Sequence, residues 1–260
     1  MNKESFIHVS NLSAFTKEKR ILEGLNFECF ENQKIALIGA NGAGKTTLLR
    51  CLMRLIAFEG SITIHGRAIQ EFSKKQLARK IAYAPQQIPK NIPFTVCEFL
   101  QMARFSHERT DLSTNQSSLH FIEPILNQTG LREIAHRPIS SLSGGERQRA
   151  NIAAALAQDA PMLVLDEPYA HLDPAQQASI HNLLKEISTQ KKLSLLIATH
   201  DLNWISEHCE RIIALKNGKI IFDQSPNFIL KKPILEEIFE TKFLITQHPE
   251  KKCPLILSNP

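Results

Sequence analysis

The sequence has no long apolar run, no paired cysteines and no strong excess of charge, and each absence removes a class of function. No uncharged apolar stretch approaches the ~18 residues needed to cross a bilayer. Any membrane role must therefore come through a partner. The opening Met1-Asn2-Lys3-Glu4-Ser5 lacks the apolar core of a secretory signal, which predicts a chain that stays in the cytoplasm. The five cysteines, Cys29, Cys51, Cys97, Cys209 and Cys253, form no C-x-x-C pair and no zinc spacing. An odd, scattered set reads as reduced thiols and excludes a metal site built from cysteine. Thirty-one basic residues against 26 acidic leave a net charge of +5. That excess is too small and too scattered to argue for nucleic acid, and it suits an anionic ligand or an anionic leaflet equally. There is no internal repeat and no low-complexity segment.

What is present is an ordinary globular composition, 43% apolar and 22% charged over 260 residues. That length fits one large α/β domain or a core with an inserted lobe. The chain is organised around Gly39-Ala40-Asn41-Gly42-Ala43-Gly44-Lys45-Thr46-Thr47, which follows the apolar run Ile35–Ile38 and precedes the helix-like Leu48–Leu52. Strand, glycine-rich turn and helix in that order are the setting of a phosphate-binding loop. Glycines let several backbone N–H groups converge on one anion, and the helix N-terminus adds its positive dipole end. Lys45 is then placed for the β- and γ-phosphates and the Thr46 hydroxyl for magnesium. The segment predicts binding of a nucleoside triphosphate.

Upstream, residues 6–30 read as extended, with Phe15 and Thr16 in the loop between two strands; an aromatic there either stacks on a base or anchors the hairpin. Downstream, Gly60–Gly66 reads as a short strand, Lys74 to Lys80 as a basic helix, and Ile81–Gln87 as a strand ending in Pro85 and two glutamines. Gln86 is either a neighbour of a magnesium and its water or a solvated loop residue. From about Ile88 to Ala157 the periodicity is helical, with Val96–Ala103 and Phe121–Thr129 as amphipathic helices and 106–118 as an exposed link. Ser143 and Glu146 have capping-box spacing ahead of an alanine-rich helix. Gly144 and Gly145 in that first turn each cost about 1 kcal/mol of helix propensity. Bare backbone there makes sense where an anion approaches the helix N-terminus.

Met162–Asp166 continues a run that is apolar on both faces, as in a central parallel strand, and Asp166 and Glu167 close it where open α/β sheets bind ligands. An Asp there can hold magnesium and a Glu can take a proton from water. A second apolar strand, 193–198, ends in Thr199-His200-Asp201, which makes His200 a candidate γ-phosphate contact among ten histidines. Residues 211–222 read as a hairpin with an Asn-Gly turn. Leu230–Phe239 reads as helix and the rest of the tail as irregular. These readings divide the chain into a core of 1–87 and 159–225, a helical lobe of 88–158 and a tail of 226–260.

Together these residues resemble the ATP-binding subunit of ABC transporters over nearly the whole chain. Gly39–Thr47 is similar to the family's Walker A loop, Gln86 to its Q-loop glutamine and Leu142–Arg149 to its signature segment. Leu163–Glu167 is similar to Walker B, His200 to the switch histidine and Asp173 to the D-loop aspartate. The resemblance implies an ABC ATPase fold: an α/β P-loop NTPase core, an antiparallel β subdomain and an inserted helical subdomain. It also implies ATP and Mg2+, in a head-to-tail homodimer that sandwiches two ATP molecules. Gly39, Asn41, Gly42, Ala43, Gly44, Lys45, Thr46 and Thr47 of one copy would then face Ser143, Gly144 and Gly145 of the other. Thr46, Gln86 and Asp166 would hold the metal, with Glu167, His200 and Gln86 catalytic and Asp173 near the nucleotide. Two positions depart from the pattern: the family usually has Tyr where Thr16 falls, and a small polar residue where Tyr169 stands.

His171-Leu172-Asp173, Thr199–Asn203, Arg104–His107 and His248-Pro249 resemble importers of ferric siderophores, haem and cobalamin. That group implies membrane permease subunits, an extracytoplasmic binding protein, a peripheral position on the cytoplasmic face of the inner membrane and no nucleic acid. Importers of manganese, zinc or molybdate, an exporter, and a soluble ABC-type ATPase acting on nucleic acid or ribosomes are the other readings. A single phosphate loop and no long heptad insertion count against the last of them.

Overall fold

The computed structural model describes residues 5–16, 19–89, 91–107, 115–190, 193–249 and 253–259. The chain forms two compact units, Met1–Glu71 with Ser194–Pro260, and Phe72–Leu193. In the first unit, β1 (Ile7–Phe15) and β2 (Arg20–Cys29) pair antiparallel. Then follow β3 (Lys34–Ile38), α1 (Lys45–Leu52), β4 (Glu59–Ile64) and the two-residue β5 (Arg67–Ala68). Strands β1, β2, β4 and β5 form an antiparallel sheet in the order β2-β1-β4-β5. Phe6, Ile7, Val9, Leu12, Leu22 and Ile62 are fully buried there. Phe15 is the last residue of β1 rather than a loop residue, because β1 runs on until its partner Arg20. The Arg20 guanidinium lies 5.1 Å from the Phe15 ring centre, and 43% of Phe15 is exposed.

The second unit begins with α2 (Lys74–Ala78), β6 (Ile81–Ala84), α3 (Val96–Ala103) and α4 (Asn115–Gln128). It ends with α5 (Gly144–Ala157), β7 (Met162–Asp166) and α6 (Pro174–Gln190). Strands β6 and β7 run parallel. Helix α4 starts at Asn115, so the exposed link expected over 106–118 is shorter at that end; residues 108–114 lie outside the described ones. The Asn-Gln-Ser-Ser start carries no apolar period, which hides the first turn from sequence reading. Pro124 lies within α4 on its exposed side, where water can take the carbonyl its ring displaces.

The chain returns to the first unit through β8 (Ser194–Ala198), α7 (Leu202–His208), β9 (Arg211–Lys216) and β10 (Lys219–Gln224). Strand β3 lies between β8 and β9 and is parallel to both, so its residues 35–38 are buried on both faces. Asn217 and Gly218, both with positive φ, make the expected tight turn between β9 and β10. Then come α8 (Pro226–Ile229), α9 (Lys232–Phe239), β11 (Lys242–Gln247) and β12 (Pro254–Asn259). The expected irregular tail is thus a β-hairpin, since β11 and β12 pair antiparallel over six residues. Pro254 occupies the first position of its strand, which tolerates a missing N–H. Asn203 on α7 fastens the hairpin by bonding both the N–H and the carbonyl of Ile256.

Candidate functional site

In the first unit the site is the loop between β3 and α1. Gly39, Gly42 and Gly44 all have positive φ. A Cβ on Gly39 would run into the Leu215 carbonyl, and one on Gly44 would lie 2.6 Å from Leu22 Cδ2. The loop therefore needs glycine both for its turns and for its closeness to neighbouring chain. From outside, the Gly218 N–H donates to the Ala43 carbonyl at 3.2 Å and braces it. Helix α1 has no side-chain cap at Gly44, and the N-terminus of a helix is an end that favours anions. Lys45 is buried, and its Nζ donates to the Gly39 carbonyl at 2.8 Å and the Ala40 carbonyl at 3.4 Å. Asn41 and Gly42 are exposed at the loop's tip, while Thr46 and Thr47 are half-buried in the first turn of α1.

His200, just past β8, is brought to the same loop, with Nε2 3.2 Å from Lys45 Nζ. An ammonium only donates, so in this contact Nε2 is the acceptor. Asp201 next to it caps α7 by accepting from the Trp204 N–H at 2.9 Å.

In the second unit Asp166 ends β7 with 1% of its surface exposed, and Tyr83 on β6 donates its hydroxyl to Oδ2 at 3.3 Å. Glu167 follows in left-handed backbone, φ 47°, and is half-buried. Beyond it, Tyr169 is buried edge-on to His181 of α6, their ring centres 4.4 Å apart. Asp173 caps α6, its Oδ1 accepting from the Gln176 N–H at 2.8 Å. Gln86 is exposed beyond β6, and Asn151 of α5 donates to the preceding Pro85 carbonyl at 2.6 Å. Tyr83 and Asn151 escaped sequence reasoning. The first sits in an apolar strand and the second in an alanine-rich helix, and neither belongs to a spaced motif.

The turn before α5 carries the expected capping box: Ser143 Oγ accepts from the Glu146 N–H, and Glu146 Oε2 accepts from the Ser143 N–H at 2.8 Å. The Ser143 backbone N–H holds the Glu146 carboxyl below the usual glutamate range. The Ser143 side chain also bonds the Glu146 carboxyl and lowers it further. Ser143 and Gly144 are exposed and Gly145 is buried.

Residues 22–170 match the family model described as ABC transporter, more than half of the chain. The chain belongs to the ABC transporter family. It is 34% identical over 242 residues, 93% of its length, to the iron(3+)-hydroxamate import ATP-binding protein FhuC of Bacillus subtilis (strain 168), covering 90% of that protein. It is 32% identical to the ferric enterobactin transport ATP-binding protein FepC of Escherichia coli (strain K12), over 91% of this chain and 88% of that one. With the hemin import ATP-binding protein HmuV of Vibrio anguillarum (strain ATCC 68554 / 775) it shares 30% over 98% and 99%. Among solved structures, an inward-facing conformation of an ABC transporter assigned to the metal-chelate type aligns over 99% of this chain and 98% of that one. Its TM-score is 0.84 at 23% identity, a likeness of fold. The fold is that of the ABC ATPases, a P-loop α/β core with an antiparallel β subdomain and an inserted helical subdomain. As a member of this family the chain uses ATP and couples its hydrolysis to transmembrane transport. No described helix is long and apolar enough to cross a membrane.

The family also implies Mg2+. Among the described residues no group of three or more His, Cys, Asp or Glu side chains is arranged as a metal cage. A magnesium bound with nucleotide asks for less, one or two protein oxygens besides phosphate and water. A buried Asp166 carboxylate at a strand end and a Thr46 hydroxyl opening a helix are hard oxygen donors of that kind.

Proposed function

We propose that this chain is the ATP-hydrolysing subunit of an importer for an iron chelate, a ferric siderophore or haem, with cobalamin as the neighbouring cargo. One observation carries the reading: FhuC, FepC and HmuV are import or transport proteins for such compounds, and each aligns with this chain over about nine tenths or more of its length. The chain would sit peripherally on the cytoplasmic face of the inner membrane. The helical lobe, 88–158, would pass its movement to membrane permease subunits served by an extracytoplasmic binding protein.

In this reading two copies close head to tail over two ATP molecules. The backbone of Gly39–Gly44 and the α1 N-terminus cradle the phosphates, with Asn41, Ala43 and Thr47 alongside. Lys45 gives up its bonds to the Gly39 and Ala40 carbonyls for the β- and γ-phosphates. His200, beside that lysine, turns to the γ-phosphate as a hydrogen-bond donor. Glu167 orients the attacking water and accepts its proton. Thr46, Asp166 and Gln86 would hold Mg2+, which when bound neutralises charge on the β- and γ-oxygens. Tyr83 keeps the Asp166 carboxylate oriented through its hydroxyl. Ser143, Gly144 and Gly145 of the partner copy meet the γ-phosphate from the opposite side, and Asp173 ends the loop that lies along the same interface.

The test is co-purification from native membranes in mild detergent, followed by ATPase assay in proteoliposomes. A polytopic permease at one copy per ATPase, with hydrolysis stimulated by chelate-loaded binding protein, is the expected result. Ribosomes or nucleic acid in place of a membrane protein would replace this reading with that of a soluble ATPase.

A further inference from the structure

Gly144 and Gly145 are adjacent and identical in sequence, but their surroundings differ. A Cβ built on Gly144 meets nothing within 4 Å. One built on Gly145 would lie 2.8 Å from both Cγ and Cδ of Gln176 and 3.2 Å from its Oε1. Cβ atoms do not approach neighbours that closely, so the Gln176 side chain already fills the space a residue-145 side chain needs. Gln176 stands in the first turn of α6, and its N–H is the one that Asp173 caps. The residue pressed on the start of α5 is therefore the one to which the Glu167–Asp173 segment is tied. One turn further along both helices, Arg149 Nη1 donates to Ser179 Oγ at 3.5 Å. Positions 145 and 149 of α5 thus face 176 and 179 of α6 at helical spacing, a two-point seam inside one unit.

We propose that Gln176 is a positioning residue, which ties the Ser143–Gly145 turn to the Glu167–Asp173 segment so that the two shift together. The inference rests on the head-to-tail dimer proposed above. There, Ser143–Gly145 meets the nucleotide bound by the partner copy, while Glu167 acts on the nucleotide of its own copy. Gln176 then links the two nucleotide sites of the dimer from within each subunit. The link works by exclusion of volume. Close-packed groups transmit a displacement even where each contact is weak. The glycine at 145 is what leaves room for the Gln176 side chain against the start of α5.

The experiment compares Gln176→Ala, Gly145→Ala and the double variant in the complete transporter. Melting temperature, binding of a fluorescent ATP analogue to a single site, kcat and KM are measured for each. Gln176→Ala is expected to leave melting temperature and single-site binding as in wild type while lowering kcat about three- to tenfold, the size of a modest coupling energy. KM for ATP stays within about twofold. Gly145→Ala is expected to lose most turnover, and adding Gln176→Ala should restore a clear part of it by making room for the new methyl. A double variant no better than Gly145→Ala alone would overturn the proposal, because the nucleotide and not Gln176 would then exclude the Cβ. Unchanged kcat in Gln176→Ala, or a loss that merely follows a lower melting temperature, would overturn it too. Gly144→Ala separates this outcome from the dimer reading. A Cβ there meets nothing within 4 Å among the described residues, so full activity there would count against nucleotide contact at the signature turn, while the rescue still decides the Gln176 contact.

Discussion

At Glu167 the backbone takes a left-handed conformation, φ 47°, that side-chain-bearing residues rarely adopt. Such a position costs on the order of 1–3 kcal/mol and persists where the surroundings hold it in place. Here the Ala170 N–H returns to the Glu167 carbonyl at 3.1 Å, and the buried Tyr169 lies edge-on to His181. The strain turns the chain sharply after β7, so the carboxylate that follows buried Asp166 is half-exposed. Glu167→Gln keeps the shape and removes the base. Single-site ATP binding should persist while phosphate release falls on the order of 100-fold or more. A wild-type rate of phosphate release would remove Glu167 from its role. Sequence read this residue correctly as a strand-end acid, but it gave no hint of the strained turn, because φ depends on how the following loop is anchored. Burial also sets the cysteines apart: the Cys29, Cys51 and Cys209 thiols are each pushed up to about 12. Burial thus keeps these three thiols protonated as packing groups.

At the scale of the element, α5 opens on a capping box. Glu146 has its pKa lowered in the folded chain, chiefly by the bond from the Ser143 N–H. A depressed carboxylate stabilises the fold above its unfolded pKa, and that contribution is lost as pH falls through the folded value. Glu146→Ala should therefore cost about 1 kcal/mol near neutral pH. The gap to wild type should begin to shrink below the ordinary value of 4.5 and vanish at lower pH, as read by denaturant melts across pH 3–7. A gap independent of pH would mean that packing, not the charged cap, accounts for the loss. The spacing of Ser143 and Glu146 made this helix start readable, since a cap involves only four consecutive residues. The start of α4 at Asn115 and the β11–β12 hairpin were not readable. The first lacks an apolar period, and the second is fastened by Asn203, far from it in sequence.

For the whole molecule the expected behaviour is nucleotide-driven association. In a Glu167→Gln background, ATP should convert monomer to dimer in size-exclusion or light-scattering measurements. Adding Ser143→Arg should prevent it, because a bulky cation replaces the hydroxyl at the turn proposed to meet the partner's nucleotide. Each monomer should still bind ATP through its own phosphate loop. Normal dimerisation by the doubly substituted chain would show that the signature turn does not act across an interface. Within a single copy the phosphate loop and the signature turn belong to different compact units, the first built around β3 and the second around α5.

The sequence by itself determined the local chemistry: a glycine-rich loop after an apolar strand, two acids closing β7, a cap before α5 and an Asn-Gly turn between β9 and β10. Each depends on residues within a few positions of one another or on a simple period of burial, and both are written directly in the order of residues. Only the tertiary structure decided which distant side chains meet. It brings Lys45 to His200 across 155 positions and Tyr83 to Asp166 across 83, and it lays Gln176 on Gly145. Those meetings depend on the register of parallel strands and on how closely two helices pack, quantities that no local preference encodes.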